Sequence, residues 1–193
     1  MLKRSLYTLQ KMFSYRKGLR DFYKNPSNSF AEVVDIDISA LKNSGLRSIA
    51  LDFDGVLAFH GAKEPLAKVN TWLQQLVATF GAENIYILSN KPTLERLNFF
   101  SKNYPGISFI SGVRKKPYPD GLQKILKQAD SMPEQLTLID DRLLTGVLAA
   151  LIANVRPIYI SKAYTNYRND FFAELFFVSL RKAERWLLHT FLR

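Results

Sequence analysis

An α/β fold, built on a five-stranded parallel sheet with helices on both faces, is what this sequence predicts. Three observations carry that expectation. Short, almost wholly apolar runs alternate with helix-like segments from Arg47 to Ile160, the pattern of strands buried on both sides and joined by helical crossovers. Polar residues collect at the carboxyl end of successive runs, where ligands bind in such sheets. The length, 193 residues, suits one domain of ordinary size.

The elements follow in order. Residues 1–24 form a basic N-terminal arm. Leu2, Leu6, Leu9 and Phe13 make one helical row, and Met12, Tyr15, Leu19 and Phe22 continue an adjoining one. Asn25-Pro26-Ser27-Asn28 breaks this arm, and a linker carrying Asp35 and Asp37 leads to a short helix at Ile38–Lys42, ended by Asn43-Ser44-Gly45. The strands are then expected at Ser48–Phe53, Asn84–Ser89, Ile107–Ser111, Gln135–Asp140 and Arg156–Ile160. The helices between them are expected at Pro65–Phe80, Pro92–Lys102, Pro119–Ala129 and Arg142–Asn154. Residues 25–162 thus make the main domain, and residues 163–193 a basic, helical C-terminal arm.

Composition narrows the chemistry. Cysteine is absent, which excludes disulfide frameworks, thiol catalysis and zinc ribbons. His60 and His189 are the only histidines, too few for a multi-histidine metal site, and both read most simply as surface residues. The formal charge is +10, but it is unevenly placed. Lys3, Arg4, Lys11, Arg16, Lys17, Arg20 and Lys24 oppose only Asp21 in the first arm. From residue 156 onward, Arg156, Lys162, Arg168, Arg181, Lys182, Arg185 and Arg193 oppose Asp170, Glu174 and Glu184. The core between them is charge-balanced, which is not the distribution of a nucleic-acid-binding domain, so no nucleic-acid partner is expected.

Four strand ends carry candidate chemistry. Asp52 and Asp54, two apart, point to one side while the chain stays extended, and Gly55 allows a sharp turn. Crowded carboxylates repel unless a cation or a proton offsets them; taken singly, either acid could also be a turn or capping residue. Ser89 and Asn90 could donate to a phosphate near the next helix N-terminus, or simply cap that helix. Lys116, held before Pro117, could meet a phosphoryl group, or the run Arg114-Lys115-Lys116 could be a solvated loop. Asp140 and Asp141 add two carboxylates, more than one helix cap requires. Hard oxygen donors without cysteine or clustered histidine suit Mg²⁺ rather than zinc.

In these residues the sequence resembles the haloacid dehalogenase superfamily of phosphotransferases. Its four motifs correspond to Asp52-Phe53-Asp54-Gly55-Val56, Ser89, Lys116 and Asp140-Asp141, in order, over roughly residues 47–160. The resemblance implies a Rossmann-like three-layer sandwich. It also implies Asp52 as nucleophile, forming an aspartyl-phosphate, and Asp54 as the acid that protonates the leaving alcohol and later activates water. Ser89, Asn90 and Lys116 would hold the phosphoryl oxygens. Asp52, the Asp54 backbone carbonyl and Asp141 would bind Mg²⁺, with Asp140 in support. Lys115 is the lesser candidate, since the family places its lysine directly before proline. Residues 55–88 and 90–115 are each consumed by a helix and a strand, leaving no room for a cap domain of about 50 residues, so the site is expected to be open to large substrates.

A narrower likeness points to the phosphatidylglycerophosphatase branch. It lies in Val34-Asp35-Ile36-Asp37, in Leu41 to Leu46, and in Asp141-Arg142-Leu143-Leu144-Thr145-Gly146-Val147-Leu148 with Ala150 and Asn154. Two positions depart from that branch: Gly146 stands where it usually has a second acid, and Gly55-Val56 replaces an asparagine-led pair. Asp140, at a usual glycine, could supply the missing acid. The resemblance implies a Mg²⁺-dependent phosphatase of a phospholipid. A phosphatase of a protein or nucleic-acid phosphate, and a non-catalytic interaction protein with a degenerate metal site, are the alternatives.

The arms bear on where such an enzyme works. The apolar stretches Phe171–Leu180 and Val147–Val155 are shorter than the ~20 residues of a spanning helix. In the C-terminal arm, Phe172, Leu175, Phe176, Ala183, Trp186, Leu187 and Phe191 share one side, with Arg181, Lys182, Arg185 and Arg193 among the polar positions. Basic amphipathic helices of this kind either bind an anionic membrane surface or pack on their own domain. The expected location is cytoplasmic and peripheral to a membrane, or the mitochondrial inner membrane or matrix if the first arm is a transit segment.

Overall fold

A computed structural model describes residues 2–90, 92–168 and 170–191. Asn169 and Arg193 of the C-terminal arm, and the Phe191 side chain, lie outside that description.

The sheet is parallel and has six strands: β1 (Ser29–Phe30), β2 (Ser48–Leu51), β3 (Ile85–Ile87), β4 (Ser108–Phe109), β5 (Leu136–Asp140) and β6 (Arg156–Ile160), in the order β1-β6-β5-β2-β3-β4. The strand beyond the expected five is β1, which pairs Ser29 with Tyr159 and Phe30 with Ile160 at the sheet edge. Two residues carry no periodicity, so this strand has no signature in the sequence. Backbone pairing alone makes it.

Among the described residues, eight α-helices accompany the sheet: α1 (Leu2–Ser14), α2 (Arg16–Lys24), α3 (Ile38–Asn43), α4 (Ala67–Phe80), α5 (Leu94–Asn103), α6 (Asp120–Gln128), α7 (Leu148–Ile152) and α8 (Phe171–Phe191). Alternation within β2 assigns the layers. Ile49 and Leu51 face Leu73 and Leu76 of α4 and Phe100 of α5, whereas Ala50 faces Leu122 and Ile125 of α6 and Ala149 of α7. This is a three-layer sandwich. Local chemistry sets several ends. Asp37 caps α3 by accepting from Ser39 N and Ala40 N, Thr93 caps α5 by accepting from Arg96 N, and Gly81 follows α4 at φ +82°.

Two helical expectations change in form. The N-terminal arm is two helices divided at Tyr15 rather than one. The segment after β5 opens with a π-helical turn, Leu143–Val147, before α7. Such turns often mark functional positions, and this one lies against the strand-end acids.

Both arms fold back on the domain. Met12, Leu19 and Phe22 of the first arm and Leu188 of α8 are buried with Leu143, Val147, Leu148 and Tyr159. A second set of their apolar residues faces outward. Leu2, Leu6, Leu9 and Phe13 are exposed on α1, and Phe171, Phe172, Leu175, Phe176 and Trp186 on α8. No helix among the described residues is long and apolar enough to cross a membrane.

Candidate active site

The acids meet where β2 and β5 end side by side. Asp52 prolongs the ladder, its N–H donating to Ile139 O at 2.9 Å, and the chain then turns at Gly55, whose φ is +89°. A side chain at Gly55 would run into the Asp141 carboxylate and lie 2.8 Å from Arg181 Nη2. Glycine is therefore required twice at this position, for the backbone and for the space.

Asp52, Asp140 and Asp141 each place a carboxylate oxygen within 4.8 Å of the others. Lys116 joins them from the loop after β4: its Nζ lies 3.1 Å from Asp52 Oδ2 and 2.5 Å from Asp140 Oδ2. The Lys116–Pro117 peptide bond is cis. Lys116 is buried, whereas Lys115 is exposed. Burial alone would lower the Lys116 ammonium, but Asp140 and Asp52 outweigh it and raise its pKa. Burial raises the Asp52 carboxyl, and although Lys116 opposes this, Asp140, Asp141 and Asp54 add to it, so Asp52 is pushed up to about 8. Asp141 rises to about 6, again chiefly by burial, with Arg181 acting against it. Three crowded carboxylates leave a charge imbalance that a divalent cation would offset. The donor set is all hard oxygen, so Asp52, Asp140 and Asp141 could hold a metal ion.

Asp54 turns to a different set of partners. Arg96 Nη2 donates to its Oδ1 at 2.6 Å and Arg96 Nη1 to its Oδ2 at 3.1 Å, a bidentate pair. Arg96 is itself fixed, with Nε on Ala62 O at 2.8 Å and its guanidinium 3.9 Å above the Phe53 ring. His60 Nδ1 is 3.7 Å from Asp54 Oδ1. His60 is not a plain surface residue, contrary to expectation: its ring stacks on Phe177 with centroids 3.8 Å apart. Burial chiefly lowers it to about 4, so it is neutral near pH 7.

Ser89, two residues beyond β3, is buried, and Asn90 beside it is exposed. Both line a cleft with Ser111, Lys115 and Lys116. The structure therefore gathers Asp52, Asp140, Asp141 and Lys116 into one cluster. It places Asp54 beside that cluster and Ser89 and Asn90 along the adjoining cleft.

The arms reach the same edge. From α1, Arg4 Nε donates to Lys116 O at 2.8 Å, and Tyr7 stacks on Tyr118 at 4.1 Å. From α8, Arg181 Nε donates to Asp141 Oδ2 at 2.5 Å, and Glu184 takes Arg142 Nη2 at 2.5 Å and Leu143 N at 3.0 Å. Glu174 Oε1 accepts from His60 N and Asn166 N. Arg181 is thus 5% exposed rather than among the solvated positions expected for it. Glu174, Phe177, Arg181, Glu184 and Leu188, spaced three, four, three and four apart, form the inward face of α8. A signal existed in that spacing, since charges of alternating sign on one helical row are what a buried polar face needs. Arg96 had one too, on the row it shares with Phe100 and Tyr104.

Comparison with known proteins gives one family match. The model of the family described as mitochondrial PGP phosphatase matches residues 20–162. Among solved structures, an uncharacterized protein from Corynebacterium glutamicum ATCC 13032 Kitasato is 19% identical, with 71% of this chain and 96% of that chain covered and a TM-score of 0.46. A HAD-superfamily hydrolase from Ehrlichia chaffeensis is 15% identical over 70% of this chain and 97% of that one, at a TM-score of 0.40. NagD from E. coli K-12 is 10% identical over 64% and 91%, at 0.39. No curated protein matches the sequence significantly.

Proposed function

Because the chain belongs to the mitochondrial PGP phosphatase family, and is therefore a phosphatase, we propose that it removes the terminal phosphate of phosphatidylglycerophosphate, using Mg²⁺, at an anionic membrane surface. The observation that carries this reading is the placement of both arms. Each contacts a catalytic loop, Arg4 at Lys116 and Arg181 at Asp141, while its exposed apolar residues face away from the domain. Such a surface can meet a bilayer without a spanning helix, and an open site beside it can take a phosphate that stays attached to a lipid. The contacts of Arg4 and Tyr7 favour α1 as a working part of the folded enzyme, and the family's description favours the mitochondrion as the place.

The proposed reaction gives each of these residues a role. Asp52 attacks phosphorus, and the bond from phosphorus to the alcohol oxygen breaks as Asp54 gives that oxygen a proton. Water then attacks the phosphorus on Asp52, giving its proton to Asp54, and phosphate leaves as the bond to Asp52 breaks. Lys116 balances charge on the transferred oxygens and orients Asp52, and Ser89 and Asn90 donate to the same oxygens from the cleft. Arg96 sets the position of Asp54. Asp52, the Asp54 carbonyl and Asp141, supported by Asp140, would hold Mg²⁺, which when bound supplies positive charge to the phosphoryl group and to the crowded carboxylates.

Phosphate release from vesicles carrying phosphatidylglycerophosphate tests the substrate. The expected result is release that stops on chelation of Mg²⁺ and exceeds release from a phosphopeptide at least about tenfold. Faster release from the phosphopeptide would assign the site to proteins instead. Flotation with anionic vesicles tests the arms. Replacing Leu6, Phe13, Phe172 and Phe176 by Gln removes four large apolar groups and should weaken vesicle binding at least about 100-fold. These side chains are exposed, so thermal unfolding should not change. Unaltered flotation would rule out the arms as the anchor.

A further inference from the structure

Helix α8, Phe171–Phe191, lies outside the residues matched by the family, so its part in the site has to be read from its own contacts. Building on the lipid-phosphatase reading, we propose that Arg181 forms an anion subsite on the leaving-group side, taking an oxygen of a second anionic group in the substrate, a phosphodiester next to the monoester that is cleaved.

Arg181 sits on the Asp54 side of the site. Arg181 Nη2 lies 3.2 Å from His60 Nε2 and His60 Nδ1 3.7 Å from Asp54 Oδ1. Asp54 gives its proton to the departing alcohol, so groups beside Asp54 face the leaving group. The transferred phosphoryl group belongs to the other side, with Lys116 and Ser89. In phosphatidylglycerophosphate the leaving group is phosphatidylglycerol, whose phosphodiester carries a negative charge.

Arg181 also carries an unmet donor. Arg181 is 5% exposed, Nε is taken by Asp141, and Nη1 has no hydrogen-bond partner among the described residues. A buried guanidinium N–H without an acceptor is a rare and costly arrangement. An anionic oxygen would satisfy it with a charge-assisted bond.

The guanidinium is also held rigidly. Glu184 fastens α8 to Arg142 and Leu143 N, and Glu174 fastens it to His60 N and Asn166 N, on either side of Arg181 along the inward face. A guanidinium held in place before the substrate arrives loses little freedom on binding, which is what a selective contact requires.

The test compares two soluble monoesters, glycerophosphoglycerophosphate, which carries the diester, and glycerol 3-phosphate, which does not. The readout is the ratio of their kcat/KM values. Arg181→Gln should lower that ratio at least about tenfold, mainly through KM for the diester compound, and Arg181→Lys should recover part of it. If Arg181 only orients Asp141, both substrates lose equally and the ratio stays constant, which would overturn the proposal. Vesicle hydrolysis is measured alongside. Hydrolysis of the lipid with an Arg181-independent ratio removes the subsite and keeps the lipid reading. An Arg181-dependent ratio without hydrolysis of the lipid keeps the subsite and removes the lipid.

Discussion

Replacing Asp52 by Asn is expected to lower phosphate release by at least about 10⁴-fold, because it deletes the proposed nucleophile rather than weakening a contact. Asn has nearly the same shape, so the ladder bond from Asp52 N to Ile139 O is kept. Stability should not suffer in metal-free protein. Burial and the neighbouring acids raise the Asp52 carboxyl to about 8, above its unfolded value. Its protonated form therefore suits the fold, and the contribution of that form is lost as pH rises through about 8. A neutral amide removes this loss, so the variant should unfold no earlier than wild type at pH 8 and above. Activity in Asp52→Asn within tenfold of wild type would exclude Asp52 as the nucleophile.

The second large effect is expected at Gly146. A Cβ at this position would overlap the Asp140 carboxylate, so residue 146 and residue 140 compete for one space. Gly146→Asp should therefore destabilise the protein by about 3 kcal/mol, through overpacking and a further buried acid, and displace Asp140 from Lys116. Asp140→Gly alone should lose the acid that Lys116 holds at 2.5 Å. The double variant, Gly146→Asp combined with Asp140→Gly, moves the acid from one position to the other and should recover stability and activity relative to both single variants. Thermal unfolding and Mg²⁺-dependent turnover measure this. A double variant no better than the worse single one would show that the two positions do not exchange the acid. The exchange also bears on the idea of a degenerate site. The Asp140 carboxylate fills the space that a side chain at residue 146 would take.

What the sequence made legible was local. Asp52-Phe53-Asp54-Gly55 and Asp140-Asp141 are acids at the ends of apolar runs, and strand periodicity alone carries both pairs to one sheet edge. Lys116 was legible because it precedes Pro117. The caps Asp37 and Thr93 are short-range features too, but neither is read as a cap from the sequence: Asp37 is expected in a linker, and Ser89 or Asn90 stands as the cap where Thr93 is found. Helical spacing marks Arg96 and Arg181 as inward, but it does not name their partners: Arg96 and Asp54 are 42 residues apart, Arg181 and Asp141 40. No spacing rule reports such pairs. The strand β1 escaped for the opposite reason, being too short for any pattern.

The C-terminal arm shows how a correct amphipathic reading can still misplace a residue. Its apolar side is legible in the sequence, and packing against the domain is one of the two expectations for it. Packing occurs through the charged row, however, with Glu174, Arg181 and Glu184 buried and Phe172, Phe176 and Trp186 exposed. Burial of charge is tolerated here because the active site supplies partners of opposite sign: Asp141 for Arg181, and Arg142 for Glu184. Ordinary amphipathicity assumes an apolar core, and a sheet edge lined with acids is a different kind of neighbour.

The central claim is that Asp52 accepts a phosphoryl group at a Mg²⁺ site. Fluorine NMR of the protein with beryllium fluoride tests it most directly, since the beryllium fluoride adduct mimics a phosphoryl group on a carboxylate. The account predicts bound fluoride signals that require Mg²⁺ and vanish in Asp52→Asn. Absence of any Mg²⁺-dependent adduct in the folded wild-type protein, or an adduct that persists in Asp52→Asn, would contradict it.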